Sequence, residues 1–90
     1  MNTVFILMAR YNTPVISLAA VCRDFFHHLT PEKLLRKQLA GEIDIPIVRM
    51  EASQKAAKGV HINDLAAYLD RQTELARKEC QALSAGSAHE

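Results

Sequence analysis

The stretch from Thr30 to Ile47 constrains the fold most, because its helix-boundary residues and its charge pattern agree. The Thr30 side chain can accept a hydrogen bond from a free amide at a helix start, and Pro31 suits the first helical turn. Gly41 can adopt the left-handed conformation that ends a helix. The sequence therefore predicts a helix over residues 31–40, about three turns long.

The two sides of this predicted helix differ in charge. At 100° per residue, Leu35 and Leu39 fall on the side that packs on the rest of the protein, with Leu34 and Gln38 beside them. The opposite side is cationic and open, with Lys33, Arg36, Lys37 and Ala40. A helix of this shape can enter the major groove of DNA, with Arg36 or Lys37 reaching a base edge. An ordinary solvated surface helix has the same pattern, so both interpretations stay open.

A polar and basic loop follows, between two short predicted strands. Residues 45–50 alternate as a strand does, and residues 60–62 can form a return strand. The intervening segment 51–59, E-A-S-Q-K-A-A-K-G, would form the tip of a wing. The side chains predicted to contact DNA on this hairpin are Arg49, Ser53, Gln54, Lys55 and Lys58. The alternative is a flexible hairpin tip whose lysines only increase solubility.

Two short helices are predicted before the basic helix. Residues 3–11 show the apolar spacing of a helix, although a buried strand also suits the sequence V-F-I. Val15 and Ile16 can form only a strand stub before Ser17 caps a second helix, which runs to about His28 with Cys22 in its apolar stripe. Two successive helices joined by a tight turn have the layout of a helix-turn-helix, in which the second helix reads DNA.

The last predicted helix covers residues 64–83, with Asn63 as its cap. A helix of roughly 30 Å is long for so small a protein, so its second half should overhang unless a partner covers it. We therefore predict a homodimer whose contacts include Gln72, Ala76, Cys80 and Leu83. The alternative is that the N-terminal helix covers this stripe within one chain. Residues 84–90 are predicted to be a flexible tail.

Length and composition favour a single intracellular domain over residues 1–83. Residues 1–63 carry a charge of +3 and residues 64–90 a charge of −2, so affinity for a polyanion belongs to the first part. Cys22 and Cys80 have no metal-ligand spacing with the histidines, and the N-terminal segment lacks the features of a signal peptide or a membrane span. No arrangement of catalytic residues is visible. We expect a cytoplasmic protein that is not an enzyme and has no metal, cofactor or membrane partner.

Several segments together resemble the pyocin activator proteins, a family of small bacterial regulators. The similarity extends from Met1 to about Leu83. Its marks are N-T-V-F-I-L-M-A-R-Y near the N-terminus, then A-V-C-R-D-F-F, L-T-P-E-K-L-L-R-K with A-G-E-I after it, and S-Q-K-A-A-K-G-V-H followed by D-L-A-A-Y-L-D. The resemblance implies a DNA-binding transcriptional activator of bacteriocin or prophage-type genes, with promoter DNA as its partner. Activation would then require either a contact with RNA polymerase or a distortion of the promoter. The individual DNA-binding positions above come from helix and loop geometry instead.

The expected fold class is mainly α with a small β-hairpin. It is a winged helix-turn-helix of the excisionase or MerR-like kind, followed by a long C-terminal helix. Two other functions remain open. One is an excisionase-like architectural protein that bends its DNA site, and the other is a protein-interaction module without DNA binding.

Overall fold

Four helices and three short strands make up the part of the chain that the computed structural model describes, residues 2–53 and 55–88. Their order is α1 Thr3–Tyr11, β1 Val15–Ser17, α2 Leu18–Phe25, α3 Pro31–Leu39, β2 Val48–Arg49, β3 Lys58–His61 and α4 Ile62–Ala88. The architecture is therefore mainly helical with a small antiparallel sheet and a long C-terminal helix, which confirms the expected fold class at this level.

The helical interpretation of residues 3–11 is confirmed. The Asn2 side chain accepts a hydrogen bond from the Val4 amide at 2.8 Å, which caps the start of α1. Asn12 ends the helix in the left-handed conformation, with φ of 54°, and its amide donates to the Met8 carbonyl. Leu7 is the buried residue of this helix, so α1 attaches to the core through one narrow face.

The predicted strand stub at Val15 and Ile16 is an edge strand of the sheet. The strand order is β1-β3-β2, and both pairings are antiparallel. Ile16 pairs with Val60, and both are buried. The sheet therefore has one strand more than the predicted hairpin.

The predicted strand over residues 45–50 is shorter in the structure. Only Val48 and Arg49 pair with β3. Ile43 and Ile45 are buried in the segment that runs from α3 to the sheet, since they pack in the core instead of joining the ladder. Alternating hydrophobicity marks burial on one face, and it does not by itself supply a pairing partner.

The core lies between α2, α3, the sheet and the first half of α4. Val21, Leu34, Val60 and Leu65 are almost fully buried. Cys22 is also in this cluster, as predicted, and burial raises the pKa of its thiol. The second helix ends at Phe25 and not at His28, because Phe26 leaves helical geometry and turns its ring toward Tyr68.

The boundaries predicted for the last helix are wrong at both ends. The helix begins at Ile62, whose amide donates to the Pro14 carbonyl at 2.8 Å. The cap is the ring of His61, whose Nδ1 accepts from the Asn63 amide at 3.0 Å, so Asn63 is not the cap. The helix continues to Ala88, and residues 84–88 are therefore helical instead of belonging to a tail.

The second half of α4 projects away from the rest of the protein. Leu65 is fully buried, whereas every residue from Arg71 to Ala85 is exposed. The radius of gyration is 16.0 Å, against about 12 Å for a compact chain of this length. The predicted overhang is therefore confirmed. No helix in the described ranges is long and apolar enough to cross a membrane.

The N-terminal helix does not cover the exposed stripe. Its contact with α4 extends to the hydrogen bond that the Thr3 hydroxyl donates to Asp70 at 2.7 Å. The four predicted dimerisation residues Gln72, Ala76, Cys80 and Leu83 all lie beyond that point and are exposed. The single-chain alternative for this stripe is therefore wrong, and the dimer stays a prediction.

Candidate nucleic-acid interface

Helix α3 forms where its boundary residues predicted. The Thr30 hydroxyl accepts a hydrogen bond from the Lys33 amide at 3.2 Å, and Pro31 is in the first turn. Gly41 adopts a φ of +78°, the left-handed conformation that ends the helix. Both ends of the helix are thus set by local sequence.

The face of α3 that packs on the core differs from the predicted one. Leu34 is 2% exposed, and it lines a small internal space together with Gln38, Ile45 and Val60. Leu39, which was predicted to dock, is 68% exposed. The physical reason is that the segment after Gly41 returns along the Leu34 side of the helix. The run of isoleucines at 43, 45 and 47 was the sequence signal that could have indicated this.

The exposed side of α3 carries two cations, one carboxylate and two apolar residues. These exposed residues are Lys33, Arg36, Glu32, Leu39 and Ala40. Within the described part of the chain, neither Lys33 nor Arg36 has a carboxylate within ion-pairing distance. This face therefore combines two cations that form no close ion pair, one nearby carboxylate and a slim, partly apolar surface.

Lys37 differs from the other two predicted cations of the helix. Its side chain is about half-buried, and its Nζ lies 3.8 Å from a carboxylate oxygen of Glu42. Glu42 follows the left-handed Gly41, and its amide donates to the Lys37 carbonyl at 2.9 Å. The turn thus brings this carboxylate back to Lys37, which compensates its charge.

The hairpin β2–β3 presents its turn residues to solvent. Arg49 is opposite Lys58 in the backbone pairing of the two strands. The Met50 amide donates to the Ala57 carbonyl at 3.0 Å. Within the turn, the Ser53 hydroxyl accepts from the Lys55 amide at 3.2 Å. Ser53 and Lys55 are exposed, as predicted for the tip of a hairpin. Gln54, the remaining residue predicted at the tip, lies outside the described residues.

Lys58 is less exposed to solvent than predicted. It is half-buried at the start of β3, and its ammonium donates to the Ala56 carbonyl at 3.4 Å. Arg49 is exposed, and among the described residues no carboxylate lies within ion-pairing distance of it. The hairpin therefore contributes Arg49 and Lys55 as its two open cations.

The helix and the hairpin are joined by shared packing. Ile47, which precedes β2, lines the same internal space as Leu34 and Gln38 of α3. Arg49 is opposite Lys58 in the sheet, and side chains alternate along β3, so Arg49 lies on the same face as Val60, which lines this space too. This alternation directs Arg49 toward the α3 side of the sheet. The candidate interface is thus built from α3, Arg49 and the hairpin tip.

The side chains of this surface are of a type that can bind anions. No group of three potential metal-ligating side chains occurs in the described ranges. Guanidinium and ammonium groups on an exposed helix and hairpin suit phosphate oxygens and the acceptor atoms of base edges. Fold and surface together define a class, that of small mainly helical proteins with a cationic exposed helix beside a short hairpin.

The chain belongs to the pyocin activator protein PrtN family, whose model matches residues 3–76. This match confirms the family that the sequence motifs resembled. Family membership assigns the chain to a group of transcriptional regulators, not to a family of enzymes. No curated protein and no solved structure gives a significant match.

Proposed function

We propose that this protein is a winged helix-turn-helix transcriptional activator that binds promoter DNA through α3 and the β2–β3 hairpin. The activator role is supported by the family. The observation that carries the DNA-binding part is the outer face of α3, where Lys33 and Arg36 are exposed next to Leu39 and Ala40 and form no ion pair within the described residues. Glu32, exposed in the first turn on the same side, is the acidic residue of this face. The two cations outnumber it, so the face can approach the phosphate backbone and the floor of a major groove.

The order of the elements supports the winged helix-turn-helix arrangement. Helices α2 and α3 are successive and in contact, and the segment between α3 and the hairpin packs on the inner side of α3 through Ile45 and Ile47. In proteins of this arrangement the second helix lies in the major groove. The hairpin then lies beside it, against the phosphate backbone.

The cations have different tasks in this proposal. Arg36, on the outermost line of α3, reaches guanine, because its guanidinium matches the two acceptors of that base. Lys33, Lys55 and the Ser53 hydroxyl contact phosphates and set the orientation of the protein on the duplex. Lys37 and Lys58 contribute less, since each already has a partner within the chain.

The first experiment is a mobility-shift titration of Arg36→Ala and Lys55→Ala on promoter duplexes and scrambled duplexes over a series of salt concentrations. Loss of a bidentate base contact costs about 1–3 kcal/mol, so Arg36→Ala should bind the promoter roughly tenfold more weakly and lose selectivity. Lys55→Ala should weaken binding to both duplexes similarly and lower the salt slope by about 1.

Lys78→Ala is the matched control, because it removes one exposed cation from α4, far along the chain from the candidate interface. Its binding should equal that of the natural protein. Unchanged promoter binding by Arg36→Ala would contradict the assignment of α3 as the reader helix. Failure of the natural protein to bind any duplex at low salt would contradict DNA binding altogether.

Activation requires a step beyond binding, either a contact with RNA polymerase or a distortion of the promoter. The protein would act in the cytoplasm, where bacterial promoter DNA lies. A circular-permutation assay measures the bend, and transcription in vitro with purified polymerase measures activation. A strong bend without any increase in transcription would favour the architectural role over activation.

A further inference from the structure

The stripe of α4 that faces the core continues past the end of the core. Leu65 is fully buried and Leu69 is half-buried on this stripe. At helical spacing the same side then carries Gln72, Ala76, Cys80 and Leu83, all of them exposed. Leu83 is 73% exposed, and Leu75 beside the stripe is 56% exposed. Over about 20 Å of helix, the core-facing side therefore has no protein beneath it.

We infer that a second copy of this chain covers the stripe, with its own α4 antiparallel to the first and the two-fold axis at Ala76. In this register Leu69 meets Leu83 of the second copy, and Gln72 meets Cys80 of the second copy. Ala76 meets its own equivalent, where its small side chain lets the helices approach closely. Each contact of this register away from the axis is made twice by symmetry, as in an isologous interface.

Charge favours the antiparallel direction. Glu79 is the charged residue on the stripe, and a parallel pair would bring the two Glu79 carboxylates to the same level. In the antiparallel register, Glu79 lies at the level of Thr73 of the second copy, so the like charges are separated. Arg77, at the edge of the stripe, is paired with Glu74 of its own chain at 3.9 Å. Like charges in direct opposition would cost stability that this register avoids.

The body of the protein provides the second half of the contact. Leu69 lines a cleft of about 400 Å³ between α1, α2 and α4, together with Ile6, Arg10 and Phe25. Ile6 is half exposed in this cleft. In the proposed register, Leu83 of the second copy reaches the level of Leu69 and of this cleft. The contact between Leu83 of one copy and the cleft of the other is made twice, once at each end of the paired helices. The buried surface of the dimer is therefore larger than that of the helix pair alone.

This inference does not depend on DNA binding, and its test uses the full chain without DNA. Sedimentation equilibrium or light scattering across a range of protein concentrations should give the mass of a dimer. Leu83→Glu places a charge against Leu69 and the cleft at both ends of the interface. Since burying a leucine stabilises by about 1.5–3 kcal/mol, this variant should raise the dimer dissociation constant at least about 100-fold.

Met50→Glu is the matched control, because Met50 is similarly exposed but lies on the hairpin. It should leave the mass unchanged. Both substitutions are at exposed positions, and circular dichroism should show the same helix content in both variants. A natural protein that is monomeric at every concentration would overturn the inference and leave the stripe to a different protein. A Leu83→Glu variant that dimerises as tightly as Met50→Glu would overturn it too.

Oxidative cross-linking tests the direction and register. Cys80 is exposed and Cys22 is buried, so Cys80 is the reactive thiol of the native chain. In the proposed register the two Cys80 residues are roughly 12 Å apart along the axis, and the native chain should not form a disulfide dimer. Gln72→Cys should form one with Cys80 of the second copy, and adding Cys80→Ser should abolish it. A disulfide dimer of the native chain would overturn the antiparallel register.

Discussion

The Tyr11 hydroxyl, at the end of α1, donates a hydrogen bond to Oδ2 of Asp24 in α2 at 2.5 Å. Arg23 and Arg10 also contact this carboxylate, at 3.0 and 3.4 Å. Hydrogen bonds from Arg23 and from Tyr11 hold the pKa of the Asp24 carboxyl well below its ordinary value of 3.8. The ionised carboxylate therefore fastens α1 to α2.

Asp24→Asn should lower the stability of the protein at pH 7 and change its response to acid. A carboxyl with a depressed folded-state pKa contributes stability that is complete above its unfolded-state pKa and is lost as the pH falls toward the folded-state value. The difference between the natural protein and the variant should therefore be largest above about pH 4 and should shrink below it. Urea denaturation at pH 7, 4 and 3 measures it, and a difference that grows below pH 4 would contradict the linkage.

Tyr11→Phe provides the matched change on the donor side, because it removes only the hydroxyl. The loss of one hydrogen bond to a charged group should cost about 1.5–3 kcal/mol at most, and less here because Arg10 and Arg23 still contact the carboxylate. In the Asp24→Asn background, Tyr11→Phe should lower the free energy of unfolding by a smaller amount. Equal costs in the two backgrounds would show that the hydroxyl and the carboxylate are not coupled.

At Gly59 and Gly41, substitution by alanine and substitution by asparagine should rank in opposite order of lost stability. A Cβ on Gly59 would lie 2.6 Å from the Ile16 carbonyl oxygen in the adjacent strand, so any side chain there must push the sheet apart. We expect Gly59→Ala to cost about 1–3 kcal/mol and Gly59→Asn more. Gly41 has open space but a φ of +78°, so Gly41→Ala should cost about 1 kcal/mol and Gly41→Asn less, because Asn tolerates this conformation. Thermal denaturation of the four variants gives the order.

Local signals were sufficient to predict the ends of α3. Thr30, Pro31 and Gly41 act on the backbone within a few residues of themselves, so their effect is readable without the rest of the fold. The exposed half of α4 was predictable for a similar reason, since helix length exceeds what a body of this size can cover.

Features that depend on how a turn or a strand pair brings residues together were predicted wrongly or not at all. The burial of Leu34 instead of Leu39 depends on which way the chain returns after Gly41. The capping of α4 by His61 depends on strand pairing that brings residue 61 beside Val15. The pairing of Lys37 with Glu42 depends on a turn between them. In each case the contact is set by the path of the chain through a turn or a strand pair. The spacing of apolar residues along the sequence does not reveal that path.

Leu39 should matter for DNA selectivity and not for folding. Because it is 68% exposed, Leu39→Ala should leave the free energy of unfolding within about 0.5 kcal/mol of the natural protein. Leu34→Ala, at a buried position of the same helix, should cost about 2–5 kcal/mol. A large loss of stability in Leu39→Ala would instead support the packing face predicted from the sequence.

On DNA, an apolar side chain beside a reading arginine suits the methyl group of thymine. If α3 binds as proposed, replacing one thymine of the site by uracil should weaken binding by the natural protein, and Leu39→Ala should not distinguish the two duplexes. Mobility shifts with single thymine-to-uracil substitutions through the site measure this. Equal discrimination by both proteins at every position would exclude Leu39 from base contact.

Arg71 should stabilise the fold through a backbone contact and not through its ion pair. Its guanidinium donates to the Asp44 carbonyl oxygen at 2.8 Å, whereas the Asp44 carboxylate is 3.8 Å away and 93% exposed. Because exposed ion pairs contribute little, Asp44→Ala should change the free energy of unfolding by less than about 0.5 kcal/mol. Arg71→Ala removes the bond to the carbonyl as well as the contact with the Tyr68 ring, and should cost about 1 kcal/mol. Guanidinium chloride would screen the pair, so urea is the suitable denaturant, and equal losses in the two variants would indicate that the carboxylate carries the interaction.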